Sequence, residues 1–272
     1  MVTLKEALKG KLTERQISLV PKSFDVVGDI LIFSDLPEGL NKKEKLVGET
    51  ILKLMNNIKV VCKKTKIHSG VFRTKKVKIM AGEKRKVAMH KENNIRVKLN
   101  VETCYFSPRL SNERLRIANL VKEGESVLVM FSGVAIYNLV ISKNSKAKEI
   151  YGIEINPAAH KFAEENVKLN KAANVKLFLG DVKKVLPKLK KKFDRIVMPL
   201  PKSAEGFLGT ALKAAKKGAV IHFYDFLFEQ DFDKAVEKIK KHCKKCKILN
   251  VVKCGQYSPR KYRICVDFKV NK

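Results

Sequence analysis

From residue 126 onward the chain alternates between short apolar, β-branched runs and stretches of helical period. The runs fall at 126–131, 149–155, 175–179, 195–200 and 219–224, with helical spacing over 136–142 and 157–170 between the first three. Strands joined through helices re-enter a sheet in the same direction, so they are parallel, and a parallel sheet needs helices on both faces. The spacing therefore predicts an α/β, doubly wound domain. Its end differs: 248–254 and 262–270 are strand-like and joined by a loop without a helix, which predicts an antiparallel pair at the sheet edge.

The first hundred residues have another texture. Residues 24–33 (FDVVGDILIF) are apolar and broken by Gly28-Asp29, a hairpin signal. Helical periodicity runs over 41–56, and 58–62, 77–81, 86–90 and 95–101 read as strands. A basic loop, His68-Ser-Gly-Val-Phe-Arg73-Thr-Lys-Lys, lies among them. At 272 residues the length suits about two domains of roughly 150 residues. The expected division is a small α+β domain over 1–103 and the α/β domain over 104–272. A helix over 112–121, capped by Asn112, opens the second.

Lys and Arg number 58 against 27 Asp and Glu, a net charge of +31 spread from Lys5 to Lys272. An excess of that size, not confined to a tail, implies a polyanionic partner, with nucleic acid ahead of a membrane. Heat adaptation also enriches Lys, but together with Glu, which does not keep pace here. There is no apolar run of about 18 residues, so no membrane helix is expected. The N-terminus, MVTLKEALKGKLTER, is too charged for a signal peptide. These features lead to the expectation of a soluble, cytoplasmic protein with no evident protein partner, acting as a monomer. Disulfides are not expected among the six cysteines. Cys243 and Cys246 form a CxxC beside His242, with Cys254 following, but the spacing suits no usual zinc finger. They read as two thiols near the end of a basic helix, and no metal is expected.

In a doubly wound sheet a ligand binds beyond the C-terminal strand ends. Three such ends are marked: Phe131-Ser-Gly133-Val-Ala135, Gly152-Ile-Glu154-Ile155-Asn-Pro157, and Leu179-Gly180-Asp181-Val182. Gly133 lets backbone approach a ligand, Glu154 is placed for a ribose diol, and Asp181 for an adenine amino group. With the antiparallel terminal pair, this order of ends favours S-adenosylmethionine over a nicotinamide.

Several segments resemble one family. They are Tyr105-Phe-Ser-Pro-Arg109-Leu-Ser-Asn-Glu113-Arg114, Met130-Phe131-Ser-Gly133-Val, Gly152-Ile-Glu154-Ile-Asn-Pro157, Leu200-Pro201-Lys202 and Val220-Ile-His-Phe-Tyr. The chain is similar, over nearly all its length, to the archaeal and eukaryotic tRNA guanine-37 N1-methyltransferases, of the Rossmann-like class I fold. The resemblance implies methyl transfer from S-adenosylmethionine to N1 of guanosine 37, in the anticodon-loop region of tRNA. It implies Glu113 as general base, a role that suits a carboxyl whose pKa burial raises, and Arg73 as donor to the guanine O6. Tyr105, Arg109, Arg114, Phe131, Gly133, Glu154, Ile155, Asp181, Val182 and Pro199 would surround cofactor and base. It also implies that the small N-terminal domain with which relatives touch the tRNA elbow is missing. Three positions depart from the family pattern: Val129 replaces an Asp, Pro199 an Asn, and Ala135 a second glycine. They leave open a tRNA-binding paralogue with weak or lost catalysis, or aminocarboxypropyl transfer in wybutosine synthesis.

Overall fold

The computed structural model describes residues 2–65, 70–200 and 202–271. The chain forms two compact units: 1–91 with 97–108, and 92–96 with 109–272.

The first unit opens with two short helices, α1 (Leu4–Ala7) and α2 (Glu14–Leu19). Each starts at a Thr whose hydroxyl accepts the N–H three residues on, from Glu6 and Gln16, while that residue's side chain accepts the Thr N–H. A four-stranded sheet follows in the order β1 (Asp25–Val27), β2 (Ile30–Phe33), β3 (Val60–Lys64), β4 (Val77–Gly82). Helix α3 (Glu44–Leu54), entered through a 3₁₀ turn, covers it with Val47 and Ile51. The turn between β1 and β2 needs Gly28: its φ is +60°, and a Cβ there would lie 2.4 Å from the Met89 carbonyl oxygen. β5 (Val87–Glu92) and β6 (Ile95–Asn100) form a separate hairpin whose tip, 92–96, groups with the second unit.

The second unit begins with α4 (Ser111–Leu120). It continues with β7 (Ser126–Val129), α5 (Ile136–Asn144), β8 (Glu149–Glu154), α6 (Pro157–Leu169), β9 (Val175–Leu179) and α7 (Val182–Lys188). Then come β10 (Phe193–Met198), α8 (Leu208–Ala214), β11 (Ala215–Phe228), α9 (Asp233–His242), β12 (Cys246–Ser258) and β13 (Lys261–Val270). The sheet order is β12-β13-β11-β10-β7-β8-β9, parallel from β11 to β9 and antiparallel where β13 joins β11 and β12. The antiparallel pair expected from the sequence is therefore present, with the last strand inside it rather than at the edge. Leu128, Ile153, Ile196, Ile221 and Phe268 pack in the core of this sheet.

Asn112 does not cap α4. The 3₁₀ turn Pro108–Leu110 runs directly into the helix, so the N-cap position is Leu110, with no side-chain cap, and Asn112 lies inside the first turn. No helix among the described residues is long and apolar enough to cross a membrane.

Candidate active site

Three loops lock together at the C-terminal ends of β7, β8 and β9. The chain turns after β7 at Gly133, with φ +56°. Ser132 N–H donates to the Ile153 carbonyl at 3.0 Å, and Gly180 N–H to the Glu154 carbonyl at 2.8 Å. The Glu154 carboxylate accepts from Gly133 N–H at 2.7 Å and from Asn156 N–H at 2.8 Å. Burial raises its pKa, and the backbone donors of Asn156 and Gly133 oppose the rise. A carboxylate has about four acceptor positions, so Glu154 still has capacity for a ligand hydroxyl. Beside it, Ile155 and Leu179 are 38% and 49% exposed. Apolar side chains left open at two adjacent strand ends form a wall suited to a flat base. Asp181 caps α7, accepting from Lys183 N–H at 2.8 Å, and Val182 behind it is buried. Phe131 meets Phe207 edge-on at 5.0 Å. These groups fit an adenosine.

A second cluster reaches the same end of the sheet. Glu113, on the first turn of α4, is buried. It accepts from the Tyr224 hydroxyl at 2.5 Å, and from Arg116 Nε and Nη2 at 2.7 and 2.9 Å. Tyr224 stands one residue past the Met198–Phe223 pair that ends β10. Its hydroxyl accepts from Tyr137, on the first turn of α5, at 3.3 Å. Arg116 also donates to Asp267 on β13 at 2.6 Å.

The remaining expected residues are placed less uniformly. Arg114 is paired with Glu92, with its Nε and Nη2 both at 2.5 Å from that carboxylate. The side chains of this pair are 2% and 4% exposed. Arg109 is exposed on the turn before α4, and Pro199 is half-buried just after β10. Val129 is fully buried, so its side chain does not line an open surface. Ala135 holds φ +65°, the left-handed conformation that the expected glycine would adopt freely. Arg73, in a turn with φ +51°, and half-buried Tyr105 belong to the first unit. His68 and Pro201 lie outside the described residues. Cys243 ends α9 and Cys246 begins β12; neither joins a metal-ligand cluster among the described residues. Sequence reasoning missed Arg116, Asp267 and the role of Tyr224. Tyr224 and His222 stood within a segment singled out for its resemblance, but no spacing pairs residue 113 with 224 and 267.

The sheet order, the glycine turn after β7 and the acids after β8 and β9 define a Rossmann-like, S-adenosylmethionine-dependent methyltransferase. Residues 88–252 match the TRM5/TYW2 methyltransferase domain, and residues 4–85 the TYW2 N-terminal domain. The tRNA (guanine(37)-N(1))-methyltransferase Trm5b of Pyrococcus abyssi is 39% identical over 257 residues, 93% of this chain and 76% of that protein. The solved complex of aTrm5 with tRNALeu superposes with a TM-score of 0.88 at 34% identity, covering 99% of this chain and 78% of that one. Methanocaldococcus jannaschii TYW2, solved with AdoMet, gives a TM-score of 0.69 at 27% identity, covering 91% and 98%. The chain belongs to the TRM5/TYW2 methyltransferase family.

Proposed function

We propose that this protein transfers a methyl group from S-adenosylmethionine to N1 of guanosine 37 in tRNA. The observation that carries the reading is Glu113, a buried carboxylate held by Tyr224 of β11 and by Arg116, at the same end of the sheet as the Gly133, Glu154 and Asp181 loops. Bound there, the cofactor supplies an electrophilic methyl on a sulfonium. N1 of guanine carries a proton near neutral pH; Glu113 would accept it, and the freed nitrogen pair would form the new N–C bond as the methyl–sulfur bond breaks, leaving the neutral thioether S-adenosylhomocysteine and a protonated Glu113. Negative charge moves toward O6 as the proton leaves. The role of Arg73 as donor to that oxygen rests on its motif alone. Gly133, Glu154, Ile155, Asp181 and Val182 hold the nucleoside of the cofactor, with Phe131 behind them. Tyr105, Arg109 and Pro199 keep the base- and cofactor-facing roles of their motifs. Arg114 is better read as the anchor of the hairpin tip. The same reading has the small domain contact tRNA and has the protein act as a monomer in the cytoplasm.

Identity of 39% to a guanine-37 methyltransferase, against 31% to an aminocarboxypropyltransferase, favours methyl over aminocarboxypropyl transfer. The test is single-turnover assay of tRNA transcripts carrying guanosine 37, with the nucleoside product identified by mass spectrometry. Glu113→Gln keeps the shape and removes the base, so transfer should fall about 100-fold or more, with cofactor affinity by calorimetry unchanged. Full transfer by Glu113→Gln overturns the assignment of the base. A product bearing an aminocarboxypropyl group overturns the reaction.

A further inference from the structure

Glu113 is one end of a continuous row of side chains, buried at Glu113, Asp267, His222 and Arg195 and half-buried at Arg116 and Glu125. At the far end Arg195 donates to Glu125 at 2.7 Å and to the Leu120 carbonyl at 2.6 Å. Arg195 Nη1 lies 2.8 Å from His222 Nε2, and His222 Nδ1 lies 2.5 Å from Asp267 Oδ1. Arg116 then joins Asp267 to Glu113. His222 and Asp267 are direct cross-strand partners on β11 and β13, and His222 is fully buried. Glu125, Arg195, His222, Asp267 and Arg116 line a cavity of about 560 Å³ together with Lys122, Lys217 and Lys269, and the row continues from Arg116 to Glu113.

The proton positions follow from donor inventory. A guanidinium only donates, so His222 Nε2, facing Arg195, must hold the lone pair. Its proton is on Nδ1 and is given to Asp267, and His222 is neutral. Burial lowers the His222 pKa, against the pull of Asp267 and with the help of Arg195 and Arg116. Burial opposes the charge on Asp267, but His222 and Arg116 outweigh it and hold that carboxyl below its ordinary range. At the other end, Oε1 of Glu113 accepts from both Tyr224 and Arg116 Nη2, which uses its two lone pairs. Among the described residues Oε2 accepts only from Arg116 Nε, which leaves one of its lone pairs.

We infer that Arg116, Asp267 and His222 are positioning residues that present Oε2 of Glu113 as the proton-accepting atom, with Arg195 bracing the row; this rests on reading Glu113 as the base. The row is not a proton wire, because Arg116 does not give up a proton at working pH. Nor is stability a sufficient reason for it, since apolar side chains of similar volume commonly do as well as buried ion pairs. His222, Cys265 and Asp267 lie close enough for a metal ion. Both ring nitrogens of His222 and both oxygens of Asp267 are already engaged, and the positive charge there comes from Arg195 and Arg116.

Arg116→Lys keeps the charge and loses the fork; Asp267→Asn keeps the shape and loses the charge. Each is compared with Glu113→Gln in single-turnover methylation across pH, alongside melting curves and cofactor calorimetry. Loss of one charge-assisted hydrogen bond should slow transfer about 10- to 150-fold, with cofactor affinity unchanged. Fewer donors to a carboxylate favour its protonated form, so the acid limb of the pH–rate profile should move to higher pH. A merely structural role would lower melting without moving that limb. The groups facing Glu113 from other elements, Tyr224 on β11, Cys265 on β13 and, beyond Tyr224, Tyr137 on α5, are kept in both variants. If Glu113→Gln is inactive while both variants keep rate and limb, positioning is refuted and the base reading survives. If Glu113→Gln is active, the base reading itself fails. Should the variants not fold, nitrogen NMR of the histidine-labelled parent decides: Nδ1–H with bare Nε2 from pH 6 to 9 supports the row. A charged ring or the other tautomer overturns it.

Discussion

Glu92→Ala removes half of a buried ion pair, and the structure sets the size of the loss. Arg114 and Glu92 are joined by two bonds of 2.5 Å, with side chains 2% and 4% exposed. The hairpin tip would not swing free to release Arg114. Asn93 donates to the Ser111 carbonyl at 2.9 Å, Asn144 donates to the Asn93 carbonyl at 3.0 Å, and Arg96 and Asn170 exchange bonds of 2.9 and 2.6 Å. Arg114 is then left as a buried cation without that carboxylate. Breaking a buried pair this way costs about 3–5 kcal/mol. At roughly 2–4 °C per kcal/mol for a domain of this size, melting should fall by about 10 °C. Urea unfolding followed by circular dichroism measures the loss, and calorimetry should show unchanged cofactor affinity. The double variant Glu92→Leu/Arg114→Met should recover most of the stability. A loss under about 1 kcal/mol, or an Arg114→Met variant of normal stability that no longer binds cofactor, would refute the structural reading and return Arg114 to the ligand.

Other outcomes follow from charge, burial and backbone. The log of tRNA affinity should fall linearly with log salt, by about 0.7–0.9 per phosphate contact; a flat titration would remove the electrostatic basis for nucleic-acid binding. Burial, aided by Lys64, lowers the Lys75 pKa to about 8. The folded state thus holds fewer protons than the unfolded between that value and the ordinary lysine range, so stability should rise with pH across this window, by about 3 kcal/mol in all. The rise should vanish in Lys75→Met, and an identical pH dependence of urea midpoints in parent and variant contradicts it. Ala135→Gly should change stability by less than about 1 kcal/mol. Relief of a left-handed alanine, about 1–2 kcal/mol, is offset by roughly 0.8 kcal/mol for a buried methyl and about 0.4–1 kcal/mol of unfolded-chain freedom. A loss above about 2 kcal/mol would mean that the methyl packs better than its burial implies.

The parallel sheet was legible because its inner strands are buried on both faces, so 127–131 and 196–198 are apolar throughout, while the edge strand β9 keeps an exposed Lys176 within its apolar run. Helices α1 and α2 are too short for periodicity to register, yet their Thr3-x-x-Glu6 and Thr13-x-x-Gln16 boxes are a start signal that a motif search would find. β11 runs from Ala215 to Phe228, beyond 219–224 at both ends, because Ala215 pairs with Phe193 of β10 and pairing with β13 carries the far end through Asp225 to the Phe228–Lys261 pair. Its Lys216-Lys217-Gly218 start looks like a loop to any local criterion. Glu154, Asp181 and Gly133 could be read because a strand end is a local feature. Arg116, three residues on from Glu113, was within local reach; Tyr224, which bonds Glu113, and Asp267, which bonds Arg116, were not, since only tertiary folding brings them there.

The placement of β13 between β11 and β12 has a consequence for the order in which the molecule matures. A chain made from its N-terminus exposes α4 and the whole parallel half of the sheet while residues 261–270 are still unmade. Until they arrive, β11 presents an open edge along its length, a template for mispairing. Asp267 enters with the same strand. The arm that Arg116 extends to Glu113 is therefore anchored only when the sheet closes, and the nascent protein carries its carboxylate long before it carries the brace that aims it.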